Sequence, residues 1–436
     1  MSETLPEIKD ILDNGSFPSK KFSIPKVKVG VETSPKTLRD ISFGYDANAR
    51  TYIYAIDDVS LVDSLKQLGG PLPILNLETK GGLIPNFYNK TVSNTQFLTN
   101  GNATDTQEQV LRFAPEQRPF TAFYIGGVVN IEMYALNIPE LTFFSNKLEV
   151  KHDDISIIIS NLKKKNTDDV TQYLATHKLN ILSDSEFNDC DKIEELISLI
   201  SNFLTFSTGQ FTGIGHLIGR NIRNEEVLFQ PGFRRVDPPL EPKGWFEFDP
   251  AIRLKKVFEG FSRVSKNTSD YEILKRTLHF YRAANIIDSP AREVALISAC
   301  AGVEAITSYV LSERGGWSKN LLSKAALSDK IRATVSLLSM NDYIFKHCKK
   351  LQAKKKGVPN LDEFELLTMF RNKIIHSDKD FSYTGLELLE AFNVFQWLIE
   401  MFIFSIIGYR GSMSDRRKMT GYPEIAPVPI NDGLPL

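Results

Sequence analysis

Residues 361–376, LDEFELLTMFRNKIIH, decide how the second half of the chain is read. Their apolar positions recur at helical spacing. Arg371 follows Phe364 by seven residues and Leu367 by four, and Ile374 and Ile375 come three and four later. A permanent cation therefore lies within the apolar stripe of its own helix, where it needs a partner. Asn372 and His376 are four apart and share the neighbouring face. There the amide could hold one imidazole nitrogen and leave the other free for proton transfer.

Outward from this helix the helical pattern continues. Apolar stripes run through residues 250–262 and 269–287, and Ser289, Pro290 and Glu293 form a helix start, with proline at the first helical position, for a helix to about residue 312. Further helices are predicted at 323–339 and 343–355, and Thr384 with Glu387 forms a capping box opening a final helix to about residue 407. Together they make a helical bundle over residues 250–412, followed by a tail at 413–436 that is Pro-rich from Tyr422 and reads as poorly ordered. Residues 391–408 are apolar enough to raise the question of a membrane. Glu400 lies in their middle, Asn393 and Gln396 interrupt them, and Glu387 and Glu390 lead into them, so a buried helix and no membrane contact is the reading.

The first half has a different period. Residues 1–35 form an arm or a first edge strand, and 36–230 a β-rich domain padded by helices at 166–178 and 189–206. A hairpin is predicted from 41–45 and 51–56, with strands at 109–113, 120–125, 128–136, 148–152 and 155–159, a long loop at 81–106, and a return to strand at 214–229. Residues 231–249, dense in proline, make the domain boundary. The fold class is α+β: a β-rich, sandwich or jelly-roll-like N-terminal domain followed by an all-α bundle.

The chain has 436 residues, is 42% hydrophobic and 24% charged, and has a formal net charge of −1, so any nucleic-acid contact must use local positive charge. The densest such run contains Lys346, Lys349, Lys350, Lys354, Lys355 and Lys356. Directly before the 361–376 helix, it is either a solvated face or an RNA guide, the latter role falling to Lys349, Lys350, Lys354, Lys355 and Lys356. Cys190, Cys300 and Cys348 form no CxxC pair, which argues against zinc and disulfides and fits a reducing cytoplasm, as does an N-terminus without a signal-peptide pattern. His279 and His347 lack ligand-spaced companions and read as structural. Neither metal nor cofactor is expected.

RNA can be cut without a metal when its own 2′-hydroxyl attacks the adjacent phosphate, because only protons and charge then need managing. An imidazole, with an ordinary pKa of about 6.5, can accept or donate the proton. A guanidinium fork can hold phosphate oxygens as charge builds on them. Arg371, Asn372 and His376, the helix carrying Glu293 and Glu304, and the long apolar final helix resemble the HEPN superfamily, and more narrowly the ApeA-like HEPN proteins of bacterial anti-phage defence. Ser377 departs from that pattern, since many members follow the histidine with glycine.

The resemblance covers residues 250–410 or so. It implies an abortive-infection endoribonuclease acting on cellular RNA such as tRNA, a homodimer joined through the HEPN domain, and an N-terminal domain that senses a phage-derived trigger. Arg371, Asn372, His376 and Glu304 are its catalytic set. For Glu304 two readings stand: counter-charge to Arg371, or structural partner of some other base. For the hexapeptide as a whole the alternatives are a core salt bridge and a helix cap, as in a non-catalytic HEPN dimerisation or nucleotide-binding scaffold. A third reading makes the β-domain a carbohydrate- or peptide-binding module oligomerised by the helices.

Overall fold

The computed structural model describes residues 16–29, 36–46, 52–56, 75–79, 82–84, 109–113, 123–124, 126–136, 147–162, 175–187, 189–233, 244–246, 251–288, 291–376, 381–419 and 424–430. The architecture is α+β, and the chain divides into two units. The first comprises Met1–Glu140, Lys151–Ile197 and Thr212–Pro239; the second comprises Leu141–Val150, Ser198–Phe211 and Leu240–Leu436.

Up to residue 233 the strands form two sheets. In the six-stranded one, β1 (Ser16–Val29), β2 (Lys36–Asp46), β3 (Tyr52–Ile56), β4 (Leu75–Thr79), β5 (Gly82–Ile84) and β6 (Gln109–Phe113) lie in the order β5-β4-β1-β2-β3-β6. The β2–β3 hairpin is as expected, with Tyr45 opposite Tyr52. The expected arm at 1–35 is corrected in part: β1 is an interior strand, paired antiparallel with both β2 and β4. Most of the expected 81–106 loop lies outside the described residues, apart from β5.

The seven-stranded sheet contains β7 (Phe123–Tyr124), β8 (Val128–Leu136), β9 (Lys147–His152), β10 (Ile155–Asn161), β11 (Ala175–Phe187), β12 (Gly213–Arg220) and β13 (Glu226–Phe233), in the order β7-β13-β12-β8-β11-β10-β9. Its register stacks apolar rows on one face: Ile157 opposes Ile181, which opposes Ile131, and Ile159 opposes Leu179, which opposes Met133. All six are buried. The alternate positions of β8 are polar, and Glu132 is met by Lys178 at 2.9 Å and Arg220 at 3.7 Å.

Two expectations fail in this unit. The helix expected at 166–178 is strand from Ala175 onward, because residues 175–187 pair on both sides, with β8 and β10. The domain boundary was expected from residue 231, yet β13 of this unit continues to Phe233. It accommodates Pro231 at a register shift, where Gln230 opposes Leu217 and Phe233 opposes Gly215.

Helix α1 (Cys190–Thr208) runs from the first unit into the residues of the second, which also contains α2 (Ala251–Val264), α3 (Thr268–Ile287), α4 (Arg292–Glu313), α5 (Lys319–Lys324), α6 (Leu327–Leu337), α7 (Lys349–Gly357), α8 (Glu363–His376) and α9 (Gly385–Ile406). Helix α9 opens on the expected capping box: Glu387 N–H donates to Thr384 Oγ1 at 3.2 Å, and Thr384 N–H to Glu387 Oε2 at 2.7 Å. It is wrapped by its neighbours, with Phe392, Phe395, Trp397, Leu398, Phe402 and Ile403 buried. Helices α4 and α9 are long and apolar enough to cross a membrane by length and composition, but 89% of the tested window of α9 is covered by the fold itself. Gly302 permits the close approach of α4, since a Cβ there would lie 2.9 Å from Ile399 Cδ1 and 3.0 Å from Phe280 Cβ.

Three helices differ from expectation. The start assigned to Ser289 and Pro290 lies two residues early: Ala291 is the N-cap of α4, and Arg292 pairs back to Asp288 at 2.9 Å. The helix expected at 323–339 starts only at Leu327, as α6; residues 323–324 end the separate α5, and Ala325 and Ala326 between them are in extended conformation. Packing decides this, since alanine favours helix and Leu327 is buried beyond the break. Helix α7 begins at Lys349 rather than 343, because the Tyr343 and Ile344 carbonyls accept from Arg417 Nη1 at 3.0 and 3.4 Å.

Residues 244–246 of the linker and 413–419 and 424–430 of the tail, lastly, are built into the second unit. Trp245 is buried, donates from Nε1 to the Phe206 carbonyl at 3.1 Å, and accepts at its own carbonyl from Ser414 N–H at 2.8 Å. Strand β14 (Ser412–Ser414) pairs with β15 (Ile425–Pro427), and Ile430 bridges to Met340.

Candidate active site

Helix α8 starts on a reciprocal cap. Glu365 N–H donates to Asp362 Oδ1 at 2.8 Å, Asp362 N–H donates to Glu365 Oε2 at 2.7 Å, and Arg332 of α6 grips Asp362 through Nε at 2.9 Å. Burial alone would raise the Asp362 carboxyl, but the Glu365 N–H and Arg332 outweigh it and hold it below the ordinary carboxylate range. The inner face of α8 buries Leu366, Leu367 and Phe370, and the Phe370 ring meets Phe381 at 5.1 Å and Tyr383 at 5.6 Å. This packing fixes the rotation of α8, and with it where the next turn points.

That turn carries the motif. Arg371 is half-buried, and its Nη1 donates to Asn372 Oδ1 at 3.3 Å. The amide expected to hold the imidazole thus turns its oxygen to Arg371. Asn372 and His376 are exposed, and Ile375 between them is 44% exposed. Among the described residues Arg371 has no carboxylate within ion-pair distance.

Of the two readings of Glu304, its ion pair supports the second. Its Oε1 lies 3.0 Å from Nζ of Lys330 on α6. Arg371 and Glu304 nonetheless act on one group, the buried Cys300 thiol one turn before Glu304. Burial pushes that thiol well up, the guanidinium partly offsets this, and the carboxylate adds to it. The structure therefore brings Arg371, Glu304 and Cys300 together with Lys330, a residue the sequence reading had not singled out. Glu293, at the start of the same helix, accepts from the Tyr383 hydroxyl; burial first, then that bond, pushes the phenol up to about 12.

The lysine run divides. Lys349, Lys350 and Lys356 are exposed and Lys355 is half-exposed. Lys354 is committed to the fold: its Nζ donates to the Ser382 carbonyl at 2.6 Å, pairs with Glu387 at 3.4 Å and lies 4.9 Å from the Phe381 ring centroid. Lys346 pairs with Glu424 at 3.6 Å. The N-terminus of α7 is capped by buried Glu390 of α9, which accepts from the N–H groups of Lys350 at 3.2 Å and Leu351 at 2.8 Å.

A second charged cluster was also missed. Glu400 is fully buried; its Oε1 accepts from the Tyr281 hydroxyl at 2.7 Å and Arg416 Nη1 at 3.0 Å. Arg417, also fully buried, binds Asp415 and Asp342 and lies 3.7 Å from the Trp397 ring centroid. A glutamate in the middle of an apolar helix was the available signal; the partners stand in the stretch read as tail.

Residues 267–426 match the YopA C-terminal domain family. Over 306 residues the chain is 24% identical to the SPbeta prophage-derived uncharacterized protein YopA of Bacillus subtilis (strain 168), an alignment covering 67% of this chain and 65% of that protein. The chain thus spans about 65% of the length of the curated relative it matches. The family match takes in α4, α6, α8 and α9 as well as Arg416 and Arg417. No solved structure matches.

Proposed function

We propose that this chain is a metal-independent endoribonuclease of the abortive-infection type, a member of the ApeA-like HEPN group that acts on cellular RNA such as tRNA. The observation that carries the reading is the state of Arg371: a half-buried guanidinium with no ion pair among the described residues, five positions before an exposed histidine on the same helix. A cation held at the edge of a core without a counter-charge is costly unless an anion arrives from outside, and a phosphodiester is such an anion.

In the proposed reaction His376 takes the proton of the ribose 2′-hydroxyl, whose oxygen attacks the adjacent phosphorus. Arg371 stabilises the charge on the phosphoryl oxygens. The 5′-oxygen leaves with a proton from a second imidazole, giving a 2′,3′-cyclic phosphate and a 5′-hydroxyl. Two imidazoles require two copies, so the acting species is a homodimer joined through the helical unit. Lys349, Lys350 and Lys356 supply the exposed positive surface that RNA would follow. The N-terminal unit is assigned the phage-derived trigger, and the prophage origin of the relative fits a role in conflict involving phages. The work is cytoplasmic in this reading.

The test is cleavage by the purified chain with end-group analysis of the products. Activity that persists in EDTA and leaves cyclic phosphate ends supports the proposal; abolition by EDTA with rescue by magnesium refutes it. A scaffold reading has one observation of its own, the Asn372 amide oxygen turned to Arg371 instead of to the imidazole. It predicts that folded His376→Ala keeps phage protection while RNA stays intact.

A further inference from the structure

Lys330 carries no sequence motif, yet among the described residues it is the one lysine in the buried class. It lies on α6, and both α6 and α4 pack against α8. Its side chain is 7% exposed and that of its partner Glu304 is 43% exposed, so the ammonium sits beneath a carboxylate that is open to solvent. Arg371 stands on α8, which packs against α4, the helix that carries Glu304. Which of these two cations the carboxylate takes decides which of them is left open.

A deeply placed ammonium loses more by being left unpaired than a guanidinium at the edge, so Lys330 has the stronger claim on Glu304. Without it, Glu304 becomes a part-buried carboxylate lacking a partner, with Arg371 as the cation across the junction. The resulting pair would close the guanidinium to any phosphate. We propose that Lys330 is a positioning residue of the RNA site: by holding Glu304 it keeps that carboxylate off Arg371 and leaves the guanidinium open to a phosphodiester. This rests on the ribonuclease reading above.

The experiment measures affinity of the full chain for a single-stranded RNA oligonucleotide made uncuttable by 2′-deoxy substitution, across a range of salt. Each phosphate contact contributes about 0.7 to the slope of log affinity against log salt for a single strand. Arg371→Gln is expected to lower the slope by about that amount, and Lys330→Met to lower it equally although Arg371 is still present. Lys330→Arg keeps the wild-type slope, and Lys330→Met combined with Glu304→Gln regains it. Lys330→Gln, which keeps a neutral donor at that place, is measured alongside in case the methionine variant does not fold, and it too loses slope. A merely structural lysine would lower the melting temperature and leave the slope alone. An unchanged slope in either folded Lys330 variant beside a reduced one in Arg371→Gln, or no recovery in the double variant, overturns the proposal alone. A slope unchanged even in Arg371→Gln overturns the ribonuclease reading and this proposal with it.

Discussion

Helices α8 and α9 present the same signal in sequence, charge placed within an apolar helix, and the fold treats the two in opposite ways. On α9 the charges are neutralised: Glu390 caps α7, and Glu400 is held by Tyr281 and Arg416. On α8 they are left open: Arg371 has Asn372 as its hydrogen-bond partner among the described residues, and His376 faces solvent. A buried charge without a partner costs several kcal/mol, so the chain supplies partners where they serve stability. A charge kept unpartnered at an edge is available to something else. The difference separates structural charge from candidate functional charge more cleanly than either residue type or burial does.

The largest test of that contrast removes a neutralised charge. Arg417→Met strips Asp415 and Asp342 of their buried partner and is expected to cost about 3–5 kcal/mol, or roughly 10 °C in melting temperature by calorimetry. A melting point unchanged within a degree or so would break the comparison. His376→Ala is the counterpart on the open side. It is expected to lower RNA cleavage by about 10²–10⁴-fold while shifting stability by no more than about 0.5 kcal/mol. A large loss of stability there would class His376 with the structural charges.

Within a single short helix, Lys354→Gln and Lys349→Gln sharpen the same line. The first is expected to cost about 0.5–1 kcal/mol through the Glu387 pair and the Phe381 ring, with RNA affinity hardly altered. The second is expected to weaken RNA binding in a salt-dependent manner with no change in melting. The smallest effect concerns Glu400. Burial raises its carboxyl, with Arg416 and Tyr281 only partly offsetting this, and among the described residues Oε2 has no hydrogen-bond partner. A raised folded-state value means that its contribution to stability is full below the unfolded glutamate value of about 4.3 and declines as pH rises through the folded value. Urea titrations should therefore show wild type losing stability relative to Glu400→Gln as pH rises above the unfolded glutamate value of about 4.3. A difference of the opposite sign would mean that the ion pair with Arg416 outweighs burial.

What the sequence made legible was local. Strand β8 and the cap of α9 stand where alternation and the Thr384–Glu387 pair put them, because both signals are complete within a few residues. What it hid depends on distant partners. Residues 175–178 follow a helical spacing but are strand because β8 and β10 flank them, and residues 343–344 stay out of the helix because an arginine some 70 positions later occupies their carbonyls. The site divides in the same way. Arg371, Asn372 and His376 are close in sequence and their relative placement could be read; that Glu304 answers to Lys330, 26 residues on and on another helix, could not.

Arg416 and Arg417 also have a consequence for synthesis. Translation makes every described helix of the second unit before it makes these two side chains, which fill the core around Glu400 and Trp397. A nascent or prematurely ended chain that has passed His376 but not Arg417 carries the whole motif on a scaffold with unpaired buried charge. If the motif is toxic, the order of the chain itself delays the hazard until synthesis has passed Arg417.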